Sequence, residues 1–209
     1  VGTSTGGTGS VNVYINGGLY GETSDYAIAE LVVWPRGLTA AEMHSVSAHL
    51  MGLPPAPPAV VIAAPSAFPA GMNAWYCCGM FDTSAGTWPD ATGNGNTASL
   101  SGSGFAEVYS AGHGATAGVV ALSGTTSSRI SFGYIIEGSF TVCSVTRYTG
   151  ATKKRLLQAS DSWWAHGHWY GNTGIAYYNG WKTSNTEHVS PNTDWVVMCG
   201  TNAGSHLKL

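Results

Sequence analysis

Charge is what this 209-residue chain has least of: Asp, Glu, Lys and Arg together make up 9% of it, against roughly 25% in an average soluble protein. Eight basic residues and a formal net charge of −3 leave no electrostatic footprint for nucleic acid. No apolar run approaches the roughly 18 residues of a membrane-spanning helix. The cysteines lack zinc-finger spacing, and no Asn-x-Ser/Thr sequon occurs, so N-glycosylation is not expected. No Gly-x-Ser-x-Gly nucleophile elbow lies between a strand and a helix. The chain opens on Val1-Gly2-Thr3-Ser4, without an initiator Met or a signal peptide, and reads as a piece of something longer.

What is present narrows the class further. Glycine supplies 29 residues, about twice its usual share. Gly, Ser and Thr interrupt nearly every stretch, which excludes a helical bundle. Eight Trp and ten Tyr need burial or a ligand, which argues against disorder over the whole length. Low charge with much Gly, Ser, Thr and Trp fits an extracellular or cell-surface protein better than a cytosolic enzyme.

Three zones are visible. Residues 1–52 form a first block. Residues 53–71 hold six of the nine prolines and read as a linker stiffened toward polyproline II. Residues 72–209 form the larger block. In the first, Val11, Val13 and Ile15 alternate with polar residues, and Asn16-Gly17 is a hairpin signal. Tyr26 to Trp34 reads as a strand buried on much of both faces. Thr39 and Glu42 make a capping box, with Met43, Val46 and Leu50 as an apolar stripe and Gly52 as the stop. The second block is all strand and turn. Its clear strands are at Val119–Leu122, Arg129–Phe132, Ser139–Tyr148, Lys154–Gln158, Gly174–Tyr178 and Trp195–Cys199. Many short strands with Gly turns predict an antiparallel β-sandwich or jelly roll.

Residues 24–43, SDYAIAELVVWPRGLTAAEM, resemble the closing strand and short helix of the laminin-G-like, concanavalin-A-like jelly-roll family. Trp75-Tyr76 with Trp88, Asp90, Thr92, Gly93 and Asn94 resemble its opening, and Ser139–Val142 with Asp194–Val197 its middle strands. The resemblance implies an all-β, concanavalin-A-like sandwich with one short helix near 39–51. The order is inverted, with the family's end preceding its beginning. Leu207-Lys208-Leu209 would run on into Val1-Gly2-Thr3 if the chain is one period of a tandem array. In a circular permutation residues 1–52 complete the same chain's domain, whereas in a tandem array they complete a neighbour's.

That arrangement leads to the expected function: a non-catalytic extracellular repeat that assembles with copies of itself into a filament or coat by sharing sandwich halves. The alternative is a carbohydrate-binding adhesion module whose partners are cell-surface glycans. Its candidate residues are Trp163, Trp164, His166, His168, Trp169, Tyr170 and Trp181, with Tyr177 and Tyr178 beside them. Aromatic rings stack on the C–H faces of sugars and need few charges. The same rings also serve as core plugs or interface anchors. Trp34, Trp75 and Trp195, inside strands, read as core.

Other constellations are weaker. His166-x-His168 puts two imidazoles on one face of a strand, with Asp161 or His188 as a third metal ligand. Asp82, Asp90 and Asn94 surround a Gly-rich turn and offer the oxygen ligands calcium takes. They equally make an Asx-turn network. No cofactor is otherwise expected. Glycosidases need a close carboxylate pair, and the array found in related glucanases is missing, so no enzyme is expected. Glu30 stands alone in an apolar strand and reads as satisfying buried donors or pairing with Arg36 or Arg147. Lys153-Lys154-Arg155 reads as a solvated turn. The resemblance places the strands of Cys143 and Cys199 near each other, so a disulfide there and buried free thiols are both open. Adjacent Cys77 and Cys78 cannot face the same way, and either is a further disulfide candidate. Pro54, Pro55, Pro57 and Pro58 resemble sites that are hydroxylated and O-glycosylated.

Overall fold

The sequence YAIAELVVW sets the central problem of the fold. Strict alternation from Tyr26 would send Ile28, Glu30, Val32 and Trp34 to one face, a carboxylate among core residues. A bulge between Ile28 and Glu30 breaks the period. Tyr26 and Ile28 face one core with Leu31 and Val33, while Ala27, Val32 and Trp34 face a second. A β-bulge adds one residue to one strand and reverses the facing of those that follow.

The computed structural model describes residues 10–52, 65–186, 188–202 and 206–208. In chain order its elements are β1 (Val11–Ile15), β2 (Tyr26–Trp34), α1 (Ala40–Met51), β3 (Ala74–Tyr76), β4 (Thr87–Trp88), β5 (Ala98–Gly102), β6 (Ala106–Gly112) and β7 (Ala115–Gly124). Then come β8 (Ser128–Ile136), β9 (Thr141–Tyr148), β10 (Leu157–Ala159), β11 (Trp164–Trp169), β12 (Asn172–Tyr178), β13 (Val196–Thr201) and β14 (His206–Lys208). They make two antiparallel sheets. Sheet A runs β12-β11-β10-β1-β8-β5-β4, and sheet B runs β14-β13-β9-β2-β7-β6. β3 pairs with the second half of β2, beyond the stretch that β7 covers. The chain is thus an all-β sandwich with one short helix. β2 pairs along its length with β9 of the same chain, Tyr26 opposite Tyr148 and Trp34 opposite Thr141.

The main core lies between the sheets, around Ile15, Ile28, Trp88, Phe132, Tyr148, Trp164 and Met198. A second core covers the outer face of sheet B. There α1 lays Met43, Val46 and Leu50 over Trp34, Trp75, Cys143, Val145 and Cys199. This explains why β9 and β13 are apolar on both faces. The helix starts where the sequence says: the Thr39 hydroxyl accepts from Glu42 N–H at 3.2 Å, and the Glu42 carboxylate accepts from Thr39 N–H at 2.8 Å. Phe68, near the end of the Pro-rich stretch, packs edge-on against Trp34 and Trp75. The Trp34 indole donates to the Pro69 carbonyl at 2.8 Å.

Two local expectations fail. Asn16-Gly17 does not turn a hairpin, because β1 belongs to sheet A and β2 to sheet B. Asn16 does adopt the left-handed conformation (φ 58°). Its amide, however, ties three segments together, donating to the carbonyls of Ser24, Thr125 and Ser128 and accepting from Ser24 N–H. Nor is the basic run a solvated turn. The Arg155 side chain is nearly buried beside Glu22 at 3.3 Å, and Lys153 donates to Asn192 at 2.7 Å.

Cys143 and Cys199 sit directly opposite each other on β9 and β13, with Cα atoms 4.1 Å apart, and form a disulfide. Cys77 and Cys78 are free, Cys77 buried and Cys78 partly exposed. No helix among the described residues is long and apolar enough to cross a membrane. The four prolines Pro54, Pro55, Pro57 and Pro58 lie outside the described residues, as do both halves of the Leu209–Val1 junction.

Candidate functional site

β11 divides its aromatic run by the simplest rule of a strand: successive side chains point to opposite faces. Trp164, His166 and His168 point between the sheets, where all three are buried. Trp163 and Trp169 stand on the outer face of sheet A. Ala165, the outward residue between them, is too small to fill the gap, and a cleft of about 270 Å³ remains, walled by Trp163, Trp169, Tyr177 and Trp181 with Arg155.

Two neighbouring segments complete the wall. After β12, Asn179 (φ 52°) and Gly180 (φ 145°) reverse the chain. The returning strand end is held by Lys182 N–H to the Ala176 carbonyl at 3.0 Å and by Ala176 N–H to the Thr183 hydroxyl at 2.9 Å. This sets Trp181 edge-on to Tyr177 with ring centroids 5.1 Å apart, and 5.2 Å from Trp169. From the other side, the loop after β1 is tied to sheet A by Leu19 N–H to the Ala159 carbonyl at 2.8 Å. It brings Tyr20 edge-on to Trp163 at 5.0 Å. Gly18 permits that approach, since a Cβ there would fall 2.1 Å from Gln158 Oε1.

The result is a continuous belt of six rings, Tyr20–Trp163–Tyr177–Trp181–Trp169–Tyr170, each centroid 5.0 to 5.9 Å from the next. Edge-to-face contacts of this kind hold rings in fixed orientations. Arg155 lies inside the belt, its guanidinium 4.6 Å from the Tyr20 centroid, 5.9 Å from Trp163 and 6.0 Å from Trp169. The Lys154 ammonium sits 3.8 Å above Tyr170. Glu22 matches the Arg155 charge, so the centre of the belt is close to neutral and the Lys154 ammonium is confined to its Tyr170 end. Trp163, Tyr170, Trp181 and Tyr20 are nevertheless 55, 51, 44 and 41% exposed. The Trp169 indole N–H is buried and has no partner among the described residues.

The structure therefore separates the seven glycan-site candidates. Trp163, Trp169, Tyr170 and Trp181 share the outer belt. Trp164 backs the cleft but belongs to the core, stacked at 5.6 Å on Tyr178. His166 and His168 are wholly internal. His166 Nδ1 meets the Tyr178 hydroxyl at 2.5 Å, and His168 Nδ1 meets the Thr146 hydroxyl at 3.3 Å. Burial pushes both imidazoles down to about 3, so both are neutral at physiological pH. Tyr20 and Arg155 join the site unannounced by the sequence, since their partners lie far along the chain. Tyr177 and Trp181 had a local signal, the Asn179-Gly180 turn.

The calcium candidates are occupied locally. Asp82 accepts from the Ser84 hydroxyl at 2.6 Å and from Ser84 and Ala85 N–H, which holds its carboxyl below the usual range. Asp90 accepts from Trp75, Thr92 and Asn96. The Asn94 amide donates to the carbonyls of Met72 and Asn73. Among the described residues no three His, Cys, Asp or Glu side chains come together as a metal set. Glu30, turned outward by the bulge, is buried and accepts from the Trp75 indole at 2.6 Å. Burial pushes its carboxyl up to about 8. It pairs with neither arginine: Arg36 binds Glu42 at 2.7 Å, and Arg147 donates to the Thr193 carbonyl.

No family model, curated protein or solved structure matches the chain.

Proposed function

We propose that this chain is a non-catalytic, extracellular carbohydrate-binding module, and that the six-ring belt on sheet A is its binding site. The observation that carries the reading is a fixed aromatic wall left open to solvent. Monomeric proteins seldom expose contiguous apolar patches without use. A pyranose presents flat C–H faces to such rings and hydroxyls at its rim. A cleft of about 270 Å³ takes about one sugar ring, and near-neutrality of the Arg155–Glu22 pair suits an uncharged ligand. The disulfide on sheet B favours an oxidising compartment, and the resemblance of residues 24–43 to laminin-G-like sandwiches points to the same setting.

The test is a glycan array probed with the parent protein and with Trp163→Ala and Trp181→Ala. The parent should bind a set of neutral glycans, and each variant should lose about 30-fold in affinity, as buried Trp anchors do. A parent protein that binds no glycan ends the reading.

A second reading, self-assembly into a filament or coat, has its own observation. β6 is a free edge of seven residues, exposed along nearly its whole length. It carries Glu107 as its one charge and no proline or lysine. Edges of that kind pair with other chains unless guarded. Copies would add through β6, since β2 is already seated between β9 and β7. Dilute protein that stays monomeric on sizing removes this reading.

A further inference from the structure

The aromatic cleft has a neighbour of different chemistry. Across Trp163, at the end of the sandwich, lies a second hollow of about 330 Å³, with Asp161, Ser162, Asn179 and Asn202 on its walls and Phe140 and Tyr178 behind them. Trp163 and Trp164 border both hollows. The first is lined mainly by ring faces, and the second mixes apolar side chains such as Val11 and Phe140 with groups that donate and accept.

Those polar groups are in part uncommitted. The Asn202 amide is used, accepting from Phe140 N–H at 3.2 Å and donating to the Gly138 carbonyl. The exposed side chains of Asp161 and Asn179 have no hydrogen-bond partner among the described residues. The Ser162 hydroxyl and the Trp164 indole N–H are buried and have no partner among the described residues. A buried polar group without a partner costs free energy, so such groups mark places where water or a ligand belongs. Sugar hydroxyls donate and accept at once. The exposed carboxylate of Asp161 and amide of Asn179 on one wall match a ring edge carrying several of them. Asp161 is the one charged side chain among the described residues lining this hollow, which disfavours a uronic, sialic or sulfated sugar in it.

We infer that the two hollows are consecutive subsites for a neutral oligosaccharide of two or more units. One ring stacks in the belt, and the next gives its hydroxyls to Asp161 and Asn179, with Trp163 between the two. This rests on the glycan reading of the belt and adds ligand length, polarity and charge to it.

The test is titration calorimetry with glucose, mannose, galactose and xylose and their homo-oligomers of two to four units, beside galacturonate oligomers of the same lengths. The proteins are the parent, the Asp161→Ala/Asn179→Gly double variant, in which glycine keeps the left-handed turn that seats Trp181, and Trp181→Ala. In at least one neutral series, affinity should rise about tenfold from one unit to two, the effect of one or two well-made hydrogen bonds. The double variant should lose that rise and keep the affinity for the single sugar. Trp181→Ala should weaken every length alike. A flat length dependence in the parent, or a rise that survives in the double variant, overturns the second subsite and leaves the belt standing. Tighter binding of galacturonate overturns the charge argument. No binding of any sugar at any length removes the belt reading together with this one.

Discussion

Each sheet carries a group of tryptophans on its outer face, and the two groups meet opposite fates. On sheet B, Trp34 and Trp75 flank Phe68 at 6.0 and 5.6 Å, under a helix that closes over them. On sheet A, Trp169 and Trp181 meet at 5.2 Å and Trp163 and Tyr20 at 5.0 Å, with nothing above. The ring geometry is nearly the same. The difference is the cover: α1 and residues 65–72 follow β2 in the chain and fold back across sheet B, whereas no described segment returns across the outer face of β11. Aromatic content therefore does not distinguish core from site. The presence of a chain segment able to cover it does.

The sharpest way to break this contrast is to truncate one tryptophan from each group. Trp75→Ala should cost about 3–5 kcal/mol in urea unfolding, from lost burial, a cavity and the orphaned Glu30 carboxyl. Trp181→Ala should cost less than about 1 kcal/mol, because a solvent-facing ring leaves no cavity. Equal losses would mean the belt is structural after all. Next in size is the disulfide, present only on the covered side. Replacing Cys143 and Cys199 together with serine frees a loop closed over 56 residues, and should cost about 3 kcal/mol while leaving any belt ligand bound as before.

Acid and base behaviour sharpens the comparison further. Glu30 ionises near 4.5 in the unfolded chain and at about 8 when folded. Between those values the folded chain keeps a proton that the unfolded chain has lost, so this group makes stability fall as pH rises. His166 and His168 do the reverse. They ionise near 6.5 unfolded and at about 3 folded, so their contribution is complete above 6.5 and is lost as pH falls toward 3. Two imidazoles outweigh one carboxyl below pH 6.5, and the carboxyl acts alone above it. Unfolding free energy should therefore peak near pH 6.5. Glu30→Gln should flatten the alkaline side and steepen the rise between pH 4.5 and 6.5, where the carboxyl opposes the imidazoles, measured by urea melts at pH 4 to 9. An unchanged alkaline slope in that variant would dismiss Glu30 as its cause.

Much of the covered side was legible in the sequence. The strand over 26–34, the cap at Thr39 and the helical stripe are local patterns, and local physics decides them. The open side was legible only in part. Trp163, Trp169 and Trp181 stood out as a cluster, and the two-residue period of a strand separates them from Trp164, His166 and His168 once β11 is recognised. Tyr20 and Arg155 were hidden because what makes them site residues is a contact across more than a hundred positions. The Asn16-Gly17 hairpin failed for the same reason, its amide being recruited by Thr125 and Ser128. Strands β5 and β6 escaped because small polar residues carry no period. Their partners β8 and β7 hold them extended.

The seat of β2 has a consequence for how the protein is made. All nine of its residues are buried, yet its long partner β9 is translated more than a hundred residues later, on the order of ten seconds at ribosomal speeds. During that interval an apolar segment of the nascent chain waits with its β9 edge unpaired, its other edge being covered only as β3 and then β7 emerge. A chaperone that holds extended apolar peptides would find its client there, and slowing translation between residues 35 and 140 should lengthen that exposure and lower the yield of folded protein.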